Sequence, residues 1–257
     1  MEKPEITILL PGIRKQRWDA MYDSICKSTR RSFELIICGP YGLTDKLQEL
    51  RNVKYVKDFG SPVRASNIAA SLTEGKYVTW IADDANLIPD ALDHNINLLE
   101  VMGNDVKNVV VAKYYEGRDG THKPLQPDNY FKVGGSPWSH SKFVPADFWL
   151  FNVAIMHTEF FNELGGWDCS YQGTWYSHTD MAIRAQSYGA NVVMSNHPLL
   201  DCDHSQDDHP PIEDAQTNYD KPHYFSVYGN PGWMHKDKCI DMDNWKNVSP
   251  VWKRRFG

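Results

Sequence analysis

Nothing in this chain of 257 residues is long and apolar enough to cross a bilayer. The longest apolar runs, such as Ile6–Leu10 and Val109–Ala112, are a few residues each. The first residues, Met-Glu-Lys-Pro-Glu, lack the apolar stretch of a secretory leader, so the expected location is the cytoplasm, with no membrane span. No basic excess exists: the formal net charge is −6, which excludes a sequence-blind nucleic-acid binder. Cysteine is sparse. Cys26, Cys38, Cys169, Cys202 and Cys239 are odd in number and scattered, with no Cys-x-x-Cys pair, so neither a zinc knuckle nor a disulfide framework is expected. Internal repeats and low-complexity tracts are also missing. What remains is 41% apolar and 23% charged, enough for one buried α/β domain and short for two.

The first half alternates short apolar runs with helical patterns. Strands are expected at Glu5–Leu10, Phe33–Cys38, Val53–Val56, Tyr77–Ile81 and Val109–Tyr115. Helices are expected at Arg17–Ser28, Lys46–Leu50, Arg64–Thr73 and Asp90–Met102. This alternation predicts a mostly parallel sheet flanked by helices, with ligands beyond the carboxyl ends of its strands. Those ends are Pro11-Gly12-Ile13-Arg14, Gly39-Pro40-Tyr41 and Ala82-Asp83-Asp84. The second half is less regular. Glu116–Pro145 reads as a long functional loop, Phe148–His157 is apolar again, and Asp180–Tyr188 is helical before Gly189.

Four groups could carry chemistry. Asp83 and Asp84 directly follow an apolar strand, where paired carboxylates hold Mg²⁺ or Mn²⁺; a turn is the plain alternative. His178 and Asp180 fall at or near an expected helix start, where Asp is an N-cap or a general base. Asp201–His209 offers His204 and His209 among aspartates, a set suited to Mn²⁺ or simply to a solvated loop. Arg64 and Asn67 lie one helical turn apart, and with Arg14 they could face phosphate oxygens.

The order of these elements resembles GT-A glycosyltransferases, most closely family 2. The resemblance rests on Ile6–Arg14, on Arg64-Ala65-Ser66-Asn67 leading through Gly75 to Trp80-Ile81-Ala82-Asp83-Asp84 and Pro89, on Gly165-Gly166-Trp167-Asp168, and on His178-Thr179-Asp180 ahead of Arg184 and Gly189. It covers roughly the first 205 residues. It implies a GT-A, Rossmann-like sheet with an irregular C-terminal extension. The nucleotide-binding half is expected at about 1–115 and the acceptor half at about 116–214, with 215–257 packed on the same domain. It implies a hexosyltransferase-like enzyme, inverting, that uses Mn²⁺ or Mg²⁺ and a nucleoside-diphosphate sugar, a UDP-sugar first, to glycosylate a glycan or other hydroxyl acceptor, lipid-linked ones included. Pro11, Gly12, Arg14, Gly39, Arg64, Asn67 and Asp83 would line the nucleotide site. Asp84 and His204 would bind the metal, and Asp180 or His178 would be the base, with Asp180 preferred.

The chain departs from the family in three places. Ala82 stands where the first acid of Asp-x-Asp is usual, His178 where the usual catalytic Asp sits, and Cys38-Gly39-Pro40 where acids near the nucleotide are common. Three rivals follow. A nucleotidyltransferase would need a Gly-rich basic loop, of which Pro11-Gly12-Ile13-Arg14-Lys15 is a poor version. A catalytically dead GT-A binding module would account for Ala82 and His178. A metal-dependent hydrolase would need denser His/Asp spacing.

Overall fold

The computed structural model describes residues 3–117, 123–124, 149–203 and 214–228. The chain runs β1 (Ile6–Pro11), α1 (Trp18–Ser28), β2 (Phe33–Gly39), α2 (Asp45–Gln48), β3 (Val53–Lys57), α3 (Pro62–Ala70), β4 (Tyr77–Trp80), β5 (Ala85–Leu87), α4 (Ala91–Val101) and β6 (Asn108–Gly117). It continues with β7 (Lys123–Pro124), β8 (Ala154–His157), α5 (Thr158–Glu163), α6 (Thr174–Ser187), β9 (Asn191–Asp203), a π turn (Gln216–Asp220) and α7 (Lys221–Tyr228).

Among the described residues nine strands join one sheet, ordered β3-β2-β1-β4-β8-β6-β9-β5, with β7 paired to β6. The β3-β2-β1-β4 half is parallel, as the strand–helix alternation predicts. β8 then runs antiparallel between β4 and β6, and β5 runs antiparallel to β9, so the whole sheet is mixed. Side chains alternate between its faces. Ile6, Ile8 and Leu10 of β1 join Trp18, Met21 and Ile25 of α1 and Leu92, Ile96 and Leu99 of α4. Leu9, Ile36 and Val78 point the other way, to Ile68 of α3, Phe160 of α5, Met181 of α6 and Tyr224 of α7. Both faces of β1, β2 and β4 are therefore buried, which is why these strands read as largely apolar runs.

The C-terminal segment is tied to α6 by polar contacts. Asp220, 0% exposed, accepts hydrogen bonds from the backbone N–H groups of Gln172 (2.8 Å) and Gly173 (2.6 Å). Tyr228 at the end of α7 donates to Asp180 at 2.6 Å. Tyr224 packs in the core on Tyr176 and Tyr228, with ring centroids 5.2 and 4.8 Å apart. Of the four described cysteines Cys26 is exposed, and Cys38, Cys169 and Cys202 are buried. Burial, with Asp58 beside one and Asp168 beside the other, pushes the Cys38 and Cys169 thiols up to about 12, so neither is a ready nucleophile.

Candidate functional site

The chain passes from β1 outward to β2 and β3, then returns to β4 on the other side of β1. That reversal leaves a crevice at the carboxyl ends of β1 and β4, where ligands settle in open α/β sheets. Asp83, just past the end of β4, joins it to the loop after β1. One carboxylate oxygen accepts from the N–H groups of Ile13 (2.5 Å) and Arg14 (2.6 Å), and the other pairs with the Arg14 guanidinium. Asp83 and Arg14 are 3% and 7% exposed, so both serve mainly to shape the loop after β1. Ala82, one residue earlier, is exposed at the lip.

Beside β1, Gly12 donates from its N–H to the Cys38 carbonyl at 3.0 Å. A Cβ on Gly39 would stand 1.9 Å from the Gly12 carbonyl oxygen, so only glycine permits these strand ends to approach. Pro11 ends β1 next to them, paired in register with Cys38. The Gly39 carbonyl in turn accepts from the Asp58 N–H and the Tyr55 hydroxyl, both at 3.0 Å. Asp58, which sequence reasoning passed over, holds Arg64 Nε at 2.9 and 3.0 Å and thereby sets that guanidinium at the same edge. Its only sequence signal was an acid just after a short strand.

Asp84 lies on the opposite rim. Its backbone carbonyl accepts from the Asp203 N–H at 2.9 Å, so the end of β9 is laid against it by the β5–β9 pairing. Arg17 bridges the two, with Nη1 3.0 Å from the Asp203 carboxylate and Nη2 3.1 Å from the Asp84 carbonyl oxygen. Asp203 is thus a second carboxylate at this rim that sequence reasoning did not single out. His204 follows it directly but lies outside the described residues, as do His209 and nearly all of the expected 116–145 loop. Among the described residues no cluster of three metal-ligating side chains occurs.

Asn67 faces the backbone of Trp167. It is 1% exposed, and its amide is used on the Trp167 backbone: Nδ2 donates to the carbonyl at 2.9 Å and Oδ1 accepts from the N–H at 3.1 Å. Gly166 has φ +70°, and a Cβ there would meet Asn67 Oδ1 at 2.7 Å. The Gly-Gly-Trp-Asp element is therefore a tight turn that Asn67 holds against the sheet.

α6 begins at Thr174, with Gly173 as its N-cap, so His178 and Asp180 sit inside the helix and Asp180 is not a cap. The start is set from afar by Asp220, a partner that no local pattern announces. Asp180 is 0% exposed; Oδ2 accepts from Arg184 Nε at 2.7 Å and Oδ1 from Tyr228. Arg184 completes its set on the carbonyls of Leu164 (2.9 Å) and Gly166 (2.7 Å). This is a buried ion pair that clamps α6, α7 and the Gly-Gly turn together.

His178 instead lies on an aromatic floor, its ring 5.8 Å from Trp80 and 6.1 Å from Trp167. Burial alone pushes its pKa down to about 3, so the imidazole is neutral at neutral pH. An unfolded chain binds a proton there near the ordinary value of 6.5 while the folded one does not, so this group's contribution to stability is complete above that value and is lost as pH falls toward about 3. The expected slope is up to about 1.4 kcal/mol per pH unit. Urea midpoints at pH 7 and pH 5 should fall further in the wild type than in His178→Phe; parallel losses would refute the assignment.

No family model matches the chain, and no curated protein matches it. Among solved structures, S. aureus TarS 1–349, a glycosyltransferase, superposes with a TM-score of 0.55 at 15% identity, over 95% of this chain and 78% of that one. No helix among the described residues is long and apolar enough to cross a membrane. The sheet order, the crevice at its switch point and this likeness together establish that the chain has a GT-A-like glycosyltransferase fold.

Proposed function

We propose that this protein transfers a sugar from a nucleoside-diphosphate donor, a UDP-sugar first, to a hydroxyl of a glycan or similar acceptor, with inversion and with Mn²⁺ or Mg²⁺. The observation that carries this reading is the meeting of the β1 loop, Asp83-Asp84 and the end of β9 at one crevice of a GT-A-like sheet. TarS is a glycosyltransferase, and the likeness in fold supports the same class of reaction for this chain.

In this reading the diphosphate lies over the Gly12–Arg14 backbone, with Arg17 and Arg64 supplying positive charge from either side. Asp84, Asp203 and His204 would hold the cation; carboxylate oxygens with one imidazole suit Mn²⁺, and carboxylates alone suit Mg²⁺. When bound, the cation offsets the negative charge that grows on the leaving diphosphate. Ala82 at the lip leaves room for the nucleoside. The base is His178 in preference to Asp180. Both Asp180 oxygens are engaged in the core, whereas the His178 ring lies beside Trp80 and Trp167. With proton acceptance in an aromatic site, beside a fixed array of positive groups, catalysis rests on the stabilisation of developing charge.

Calorimetric titration of UDP, then GDP, with and without Mn²⁺ tests this. The wild type should bind UDP only with metal. Asp84→Ala should weaken that binding by about 100-fold or more, since even the outer partners of a metal are worth about 10–100-fold. His178→Ala should bind UDP normally and lose about 100-fold or more in transfer. Absence of binding by either nucleotide to folded protein would overturn the donor site and leave a saccharide-binding module.

A further inference from the structure

Two arginine–aspartate pairs belong to the same crevice, and they are held differently. Arg14 and Asp83 are sealed in, with side chains 8% and 4% exposed, and Asp83 takes two backbone N–H groups as well. Arg17 and Asp203 are partly open to water, at 18% and 38%. A buried pair that loses one partner leaves an uncompensated charge, so Arg14 is fixed to Asp83. A rim pair is worth only about a few-fold in an equilibrium, so Arg17 can exchange its partner with little loss.

Such an exchange needs a fixed base and a movable head. Arg17 ends the short 3₁₀ turn Lys15–Arg17, and its N–H donates to the Arg14 carbonyl at 2.9 Å. Trp18, next in the chain, is fully buried, and a Cβ on Gly12 would stand 3.0 Å from its ring. The start of α1 is therefore packed directly against the loop after β1, and the Arg17 backbone is held there. The guanidinium reaches out from this base to two acceptors. Nη1 is 3.0 Å from the Asp203 carboxylate, and Nη2 is 3.1 Å from the Asp84 carbonyl oxygen. Both acceptors belong to the residues that the donor reading gives to the divalent cation.

We propose that Arg17 is the resident counter-ion of the donor site: it neutralises Asp203 in the free protein, gives that carboxylate up to a divalent cation, and then turns its guanidinium to the diphosphate oxygens. The proposal rests on the sugar-transfer reading above. Two positive groups at one carboxylate repel each other, so a cation arriving alone binds against Arg17. A diphosphate removes the conflict, because a guanidinium matches phosphate oxygens as well as it matches a carboxylate. Arg17 thereby couples the two ligands. Each binds better once the other is present, and by linkage the factor is the same in both directions.

The test titrates Mn²⁺ into the full chain by calorimetry, without nucleotide and with saturating UDP, counting only the uptake that Asp203→Asn abolishes. Without nucleotide, Arg17→Gln should bind Mn²⁺ about 10-fold more tightly than the wild type, because a competing positive charge is gone. Arg17→Lys keeps the charge and should stay within about 3-fold of the wild type. UDP should tighten Mn²⁺ in the wild type, and that factor should drop about 10-fold in Arg17→Gln. A merely structural tie between the loop and β9 predicts the reverse, since a loosened rim would bind Mn²⁺ less well. In the wild type itself, labelled with isotopic arginine and assigned from Arg17→Lys, the Arg17 Nε–H signal should shift when Mg²⁺ is added. The proposal is overturned if Arg17→Gln binds Mn²⁺ no more tightly than the wild type, if the UDP factor is unchanged, if the Arg17 signal stays put while the cation binds, or if no Asp203-dependent uptake occurs. A wild type that binds Mn²⁺ but not UDP would instead count against the donor site, and the nucleotide-free comparison would still decide whether Arg17 is the counter-ion of a cation site.

Discussion

Replacing Asp180 by alanine is expected to destabilise the protein by about 3–5 kcal/mol, the usual result of removing one member of a buried ion pair. The Arg184 side chain is 2% exposed and would lose its carboxylate in a site that water cannot enter. Tyr228 would lose its acceptor as well, so α7 should loosen along with α6. Urea unfolding of Asp180→Ala, with hydrogen exchange over 214–228, measures both effects. Tyr228→Phe should show only the second, at about 1.5–3 kcal/mol, because it removes one hydrogen bond to a charged group. The double replacement of Asp180 and Arg184 by leucine should recover most of the stability, since apolar residues often substitute for a buried pair without loss. A fully stable Asp180→Ala that has lost transfer activity would make Asp180 the base and leave His178 a packing residue.

Asp83→Ala should be nearly as damaging, and in a different place. It removes the acceptor of two backbone N–H groups and the carboxylate paired with a guanidinium that is 7% exposed. Hydrogen bonds to charged groups are worth about 1.5–3 kcal/mol each, though losses at one shared residue do not add fully. We expect about 3–5 kcal/mol of lost stability and a freed loop after β1. UDP affinity should fall with it, because the loop backbone that would face the diphosphate is no longer held. Asp83→Asn should be milder, since one oxygen can still accept. Calorimetry and urea unfolding of both variants separate the cases: a stable Asp83→Ala that has lost UDP binding would mean that Asp83 meets the nucleotide directly.

The two halves of the fold differed in how legible they were. β1, β2 and β4 could be read because each is buried on both faces, and α1 and α3 because each carries a helical period, so local composition reports tertiary environment. β5 and β8 could not. β5 is three residues following an acidic turn, and β8 enters the sheet antiparallel through a pairing that no neighbouring residue dictates. The start of α6 was misplaced for the same reason: its N-cap is a glycine, and the carboxylate beside it comes from Asp220, 47 residues away in sequence from Gly173.

The sequence by itself determined the α/β class, the resemblance to GT-A enzymes, and the placing of Asp83 and Asp84 at a strand end. Periodicity and short-range order are written locally, and those conclusions need nothing more. Only the tertiary structure decided how similar side chains divide their tasks. Asp83 braces a loop while Asp84 lies beside Asp203; Asn67 holds a turn; Asp180 is sealed into an ion pair while His178 sits neutral on two tryptophans. The physical reason is that a carboxylate or an imidazole is defined by its partners and its dielectric surroundings, and those come from segments many residues apart.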